Sequence, residues 1–253
     1  MAMHFARGII NPSYPISTRL SAECHAQARQ MPPFRRNRFL ATRALLAELM
    51  FMLYGTARLP AIIPGPGGRL SFADDIPASF SLACAGNVVG VALSTSGECG
   101  LEMALRRSAS IPGPTRLGNE NDGFTRSELI WINNQNDPIE ARIQLTTLRK
   151  SIGKLLGPSG MAVELQPGAG RMRLEGSHRI EALCDAEDIL IWSLAASPEV
   201  GSLQFWELDN RYGWQAIAEA QRTNGESINR MMRFTCHSKE KALTFKPFHT
   251  SAT

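Results

Sequence analysis

The chain has 253 residues, of which 43% are hydrophobic, and a formal net charge of +4, enough apolar content for one large domain or two small ones. That mild positive balance suits an anionic ligand or an acidic partner and does not call for nucleic acid. No uninterrupted apolar run approaches the roughly 18 residues of a membrane helix, no charged-then-apolar leader opens the chain, and the five cysteines lack Cys-x-x-Cys spacing, a pattern that argues against a disulfide framework or zinc site and fits a reducing, cytoplasmic setting.

A β-like run over 5–10 leads into a loop at 11–15, and 22–30 reads as a helix stopped by Pro32 and Pro33. A second helix over 39–53 follows, with Leu40, Ala44, Leu45, Leu49, Met52 and Leu53 near helical spacing. Arg35, Arg36, Arg38 and Arg43 crowd its first part. Guanidinium forks grip phosphate, so these arginines form either a phosphate site or a solvated helix start. The Gly/Pro-dense stretch 65–70 reads as a loop carrying Arg69.

The run 87–93 is uncharged, holds the β-formers Val88, Val89, Val91 and Leu93, and is flanked by Gly86 and by Ser94-Thr95-Ser96-Gly97. It predicts a buried strand, a tight turn and a second strand over 99–103, together a hairpin that ends near Glu102. A carboxylate there either faces solvent or meets a metal or substrate. Residues 105–122, rich in Gly, Pro, Arg and Ser, read as a linker. Thr125 and Glu128 fit a capping box, which needs no metal, and 138–156 reads as a helix. Strands are predicted over 162–166, 171–175, 180–184, 189–195 and 203–208. Alternation in Met172 and Leu174, and in Ile180, Ala182 and Cys184, predicts sheets with one wet face. Trp192 and Trp206 are expected in the core, a helix over 214–221, and a polar tail through Lys246, Pro247, Phe248 and His249.

Several segments resemble the 4'-phosphopantetheinyl transferases, the family that moves phosphopantetheine from coenzyme A to a serine of a carrier protein. Phe80-Ser81-Leu82-Ala83-Cys84-Ala85-Gly86-Asn87 is similar to the family's Phe-Asn-Leu-Ser-His-Ser-Gly-Asp, and Gly100-Leu101-Glu102-Met103-Ala104 to its Gly-Ile-Asp-Ile-Glu. Phe39-Leu40-Ala41-Thr42-Arg43-Ala44-Leu45-Leu46 resembles Phe/Trp-Leu-Ala-Gly-Arg-Ala-Leu-Leu, Arg69 through Phe72 resembles Gly-Lys-Pro-x-Phe, and Phe124-Thr125-Arg126-Ser127-Glu128 resembles Phe-Ser-x-x-Glu. Thr146-Thr147-Leu148-Arg149-Lys150-Ser151-Ile152-Gly153-Lys154 aligns with Trp-Thr/Ser-x-Lys-Glu-Ala-x-x-Lys. The resemblance runs in order over 3–157 and more loosely beyond.

The resemblance implies an α/β (α+β) fold of two pseudo-twofold-related halves, 1–105 and 106–210, each a small antiparallel sheet on a long helix, with a C-terminal extension over 211–253. The ligand cleft would lie between the halves. It implies that Arg36, Arg43, Arg69, Cys84 and Lys154 bind coenzyme A, that Glu102 and Glu128 hold Mg²⁺, and that Glu102, Glu128, Lys150 and Lys154 form the catalytic set. The chain departs from the pattern where Ala104 and Lys150 replace carboxylates and Cys84 replaces histidine. An ammonium at Lys150 would neutralise a pyrophosphate but repel Mg²⁺, and a protonated lysine is no base. The expected function is a divergent, catalytically impaired or repurposed member that keeps a cleft for coenzyme A and for an acyl or peptidyl carrier protein, or a synthase carrying one. The alternatives are an active Mg²⁺-dependent transferase and a non-catalytic subunit of a biosynthetic complex. Neither nucleic acid nor membrane is an expected partner.

Overall fold

A computed structural model describes residues 2–11, 17–65, 68–106, 123–157, 163–174, 179–209, 211–217 and 231–236. In chain order the elements are β1 (Ala2–Ile9), α1 (Ala22–Arg29), α2 (Pro33–Tyr54), β2 (Ile62–Pro64), β3 (Leu70–Phe72), β4 (Ser79–Ala85), β5 (Val88–Ser94) and β6 (Glu98–Leu105). They continue with α3 (Arg126–Asn133), α4 (Pro138–Leu156), β7 (Glu164–Gln166), β8 (Arg171–Arg173), β9 (Glu181–Glu187), β10 (Leu190–Ser197), β11 (Ser202–Asp209), β12 (Gly213–Ala216) and β13 (Met232–Cys236). One sheet has the order β12-β11-β1-β5-β4, the other β6-β10-β9-β13-β8-β7, and β2 pairs with β3 in a short ribbon.

The apolar residues sort into three clusters that stack these elements. Leu45, Leu46 and Leu49 of α2 share one with Ala6, Val89, Val91 and Leu93 of the first sheet. Leu145, Leu148 and Ile152 of α4 share another with Ala182, Cys184, Ile191 and Ala195 of the second. The third lies between the sheets, where Phe5, Ala83 and Ala92 meet Leu101, Met103, Trp192 and Leu194. Because strand side chains alternate faces, each sheet shows one face to its helix and the other to its partner sheet. The result is an α+β fold of four layers: helix, sheet, sheet, helix.

The helix ends follow from local chemistry. Helix α2 starts at Pro33, earlier than the expected residue 39, because proline's fixed φ suits the first helical position, and it stops at Gly55 with φ +68°. Thr125 and Glu128 do form the capping box of α3, while Asp137 caps α4 by accepting from Ile139 and Glu140 N–H.

Other expectations need correction. The strands around Gly97 are not a hairpin: β5 has β1 on one edge and β4 on the other, so β6 crosses to the second sheet and pairs with β10. Strand β11 returns to the first sheet, parallel to β1, and β13 joins the second, parallel to β8, so the sheets are mixed. A seam at residue 105 thus does not follow sheet membership. The expected wet face holds on β8, where Met172 is buried between exposed Arg171 and Arg173, but β9 is buried on both faces from Glu181 to Asp185. Trp192 is core, whereas Trp206 is half-buried and donates to His4 Nδ1 at 3.1 Å. In place of a helix from 214, β12 pairs back on β11 after a turn in which Asp209 accepts from Arg211 and Tyr212 N–H. The greater part of the expected linker, residues 107–122, the loop at 12–15, residues 218–221 and the tail at 246–249 lie outside the described residues.

Candidate functional site

Along β6, Cys99, Leu101 and Met103 enter the inter-sheet core, which leaves Gly100 and Glu102 facing α4. Gly100 makes the approach of that helix feasible, since a Cβ there would lie 2.1 Å from the Ser151 carbonyl oxygen. One turn apart on α4, Lys150 and Lys154 project from a single face. A cleft of about 620 Å³ opens beside them, lined by Arg69, Phe80, Leu82, Glu102, Lys150 and Lys154 among others. It sits where β4, the edge of the first sheet, meets β6, the edge of the second.

Lys154 Nζ lies 2.8 Å from Glu102 Oε2 and donates to the Leu82 carbonyl at 3.0 Å and the Leu101 carbonyl at 2.7 Å. Leu82 belongs to β4 and Leu101 to β6, so one ammonium ties both sheets to α4. Beside it, Leu101 N–H donates to Ser81 Oγ at 2.9 Å. Lys150 Nζ is 3.9 Å from Glu102 Oε1, an ion pair without a hydrogen bond. Arg69 closes one end through paired hydrogen bonds to Glu98 and one to the Leu155 carbonyl at 3.1 Å. Hydrogen bonding to the Glu98 carboxylate holds that guanidinium above its usual range.

Of the residues singled out in the sequence, Arg69, Glu102, Lys150 and Lys154 therefore come together, and four others do not line this cleft. Glu128 is fully buried, and its carboxylate accepts from Arg149 Nη2 at 2.7 and 2.5 Å, from Thr125 N–H at 2.7 Å and from Leu165 N–H at 3.3 Å. Arg36 caps the end of α1 by donating to the carbonyls of Ala28, Arg29 and Met31. Arg43 stacks 3.5 Å from the Phe39 ring centroid, and burial lowers its pKa. Cys84 is half-buried on β4; burial raises its thiol pKa, against the pull of nearby Arg38, Lys154 and Arg43. Glu98 and Arg149 are the partners that sequence reading passed over. The capping-box signal marks Glu128, but no local pattern marks the arginine 21 residues away that completes its pairing.

The side chains present do not fit a protein-held Mg²⁺. Such a site needs hard oxygen donors, yet the cleft offers one carboxylate already paired with two ammoniums, and Glu128 is engaged elsewhere. Among the described residues no group of three or more His, Cys, Asp or Glu could hold a metal ion.

The fold and cleft define a class: an α+β protein with a cationic groove between two sheet edges. Part of the chain is similar to a phosphopantetheinyl transferase. A stretch of 81 residues, 32% of the chain, is 38% identical to the 4'-phosphopantetheinyl transferase AcpT of Escherichia coli strain K12 and covers 37% of that protein. AcpT of Escherichia coli O157:H7 matches to the same extent. No family model matches. Over 248 residues the chain is 47% identical to the uncharacterized protein YieE of Escherichia coli strain K12, spanning 96% of this chain and 99% of YieE. The chain belongs to the family of YieE.

Proposed function

We propose that this protein is a divergent relative of the 4'-phosphopantetheinyl transferases that binds coenzyme A, and a carrier protein that would receive its arm, without performing the standard Mg²⁺-dependent transfer. The observation that carries this reading is the cleft's charge pattern: Arg69, Lys150 and Lys154 around the single carboxylate Glu102. Pyrophosphate chemistry depends on positioning and charge neutralisation, and the cations are retained. Among the described residues that line the cleft, Glu102 is the one carboxylate, and its pairing with two ammoniums leaves it poorly placed to hold a metal or to act as base for the attacking serine hydroxyl. The partial likeness to AcpT adds support.

Calorimetry with coenzyme A tests binding, and intact-mass spectrometry of apo acyl carrier protein incubated with this protein, coenzyme A and Mg²⁺ tests transfer. The expected result is binding with no mass gain, beside a control transferase that adds the arm. Absence of coenzyme A binding overturns the reading. A second reading, an active transferase, is favoured by Glu102 standing in the cleft within reach of the anion-binding groups; a mass gain that Glu102→Ala abolishes would establish it. A non-catalytic subunit of a biosynthetic complex would instead co-purify with a synthase and show no affinity for coenzyme A.

A further inference from the structure

We infer that the cleft is a metal-independent diphosphate site in which Lys150 is the anion-binding cation and Lys154 is a fixed post, an inference that rests on the ligand-binding reading above. A lysine ammonium has three donors and no acceptor. Lys154 spends two in the protein alone, on the Leu82 carbonyl at 3.0 Å and the Leu101 carbonyl at 2.7 Å, and its charge is paired with Glu102 Oε2 at 2.8 Å. A ligand at Lys154 would compete with Glu102 for its charge and with both sheet edges for its donors. Arg69 is similarly occupied by Glu98 and the Leu155 carbonyl.

Lys150 differs. Its side chain is 55% exposed, and its contact is a 3.9 Å ion pair beyond hydrogen-bond reach, so its donors are available to a ligand in the cleft. Glu102, held by Lys154, keeps the Lys150 ammonium over the cavity. A divalent cation approaching that carboxylate meets two ammoniums within 4 Å, whereas a diphosphate meets attraction from the same pair. The ligand class is therefore a diphosphate taken up without a bridging metal, whether free, in a nucleoside diphosphate or within coenzyme A.

The test is isothermal titration of inorganic pyrophosphate, ADP and coenzyme A into the full chain, each in EDTA and in excess Mg²⁺. Pyrophosphate should bind in EDTA, and Mg²⁺, by complexing the anion, should weaken that binding or leave it unchanged. Lys150→Gln should cost at least about tenfold in affinity at unchanged melting temperature, and Lys150→Arg should retain affinity. Lys154→Gln should lower the melting temperature. Pyrophosphate binding that appears only with Mg²⁺, a Lys150→Gln variant of unchanged affinity, or a Lys154→Gln variant of unchanged melting temperature overturns the inference. Coenzyme A binding only with Mg²⁺ would sink this inference and leave the proposed ligand standing; no binding of any of the three under either condition would remove the ligand itself. Equal affinity for pyrophosphate, ADP and coenzyme A would assign recognition to the shared diphosphate, and tighter coenzyme A would add the 3'-phosphate and pantetheine arm that ADP lacks.

Discussion

Glu128 is buried with no exposure to solvent, so its environment must supply what water would. Arg149 supplies the countercharge, and two backbone N–H groups and a hydroxyl take the remaining lone pairs. Removing one partner of such a buried pair strands the other and typically costs about 3–5 kcal/mol. Glu128→Ala should lower the unfolding free energy by about that much in urea denaturation. If the residue served a metal instead, stability would change little and metal affinity would fall. His4 gives a pH signature. Burial holds its pKa below the ordinary 6.5, and its Nδ1 must stay unprotonated to accept from Trp206. The unfolded chain therefore takes up the proton first as pH falls. The stabilising contribution is present above pH 6.5 and is lost as pH drops through the lower folded value. Urea titrations over this window should show wild-type stability falling with acidification, and His4→Gln, which keeps an acceptor for Trp206, should flatten that slope.

At the scale of elements, the site depends on how closely α4 lies on β6. Gly100 sets that distance: a methyl group there would also lie 2.8 Å from Leu155 N, in contact with backbone that cannot rotate away. Overpacking of this kind costs about 1–3 kcal/mol. Gly100→Ala should destabilise by that amount in denaturant titration and, by pushing α4 outward, weaken coenzyme A binding without touching a charged group. Unchanged stability and affinity would show that the helix has room to shift. Helix α4 was legible from its residues because Asp137, Pro138 and a long apolar stripe speak locally. The destination of β6 was not, because period-2 alternation names a strand's faces and leaves its neighbours open. Only the occupation of both β5 edges sends β6 to the other sheet. Trp214 through Ala216 misled for a related reason: a four-residue strand is too short to distinguish its alternation from one helical turn.

For the whole molecule, the cleft is a joint. Lys154 spans the two sheets, as does Arg7 of β1, which pairs with Glu187 of β9 and Glu207 of β11. A ligand seated on that joint binds the folded form alone, so coenzyme A at about 100 times its Kd should stabilise by about 2.7 kcal/mol. Thermal melts with and without coenzyme A read this as a rise in melting temperature, and its absence would count against occupancy of the cleft. The amino-acid sequence by itself determined the two long helices, most of the strands and the mixed α and β character, and the motif resemblance singled out Arg69, Glu102, Lys150 and Lys154. These depend on propensity, periodicity and motif spacing, which are local. The tertiary structure alone decided which sheet each strand joins, that Glu128 and Arg36 serve the frame, and that Lys154 ties two strands together while Lys150 makes only a long ion pair. Those outcomes turn on partners from 5 to 200 residues away, and whether a polar group is free depends on everything that reaches it in space.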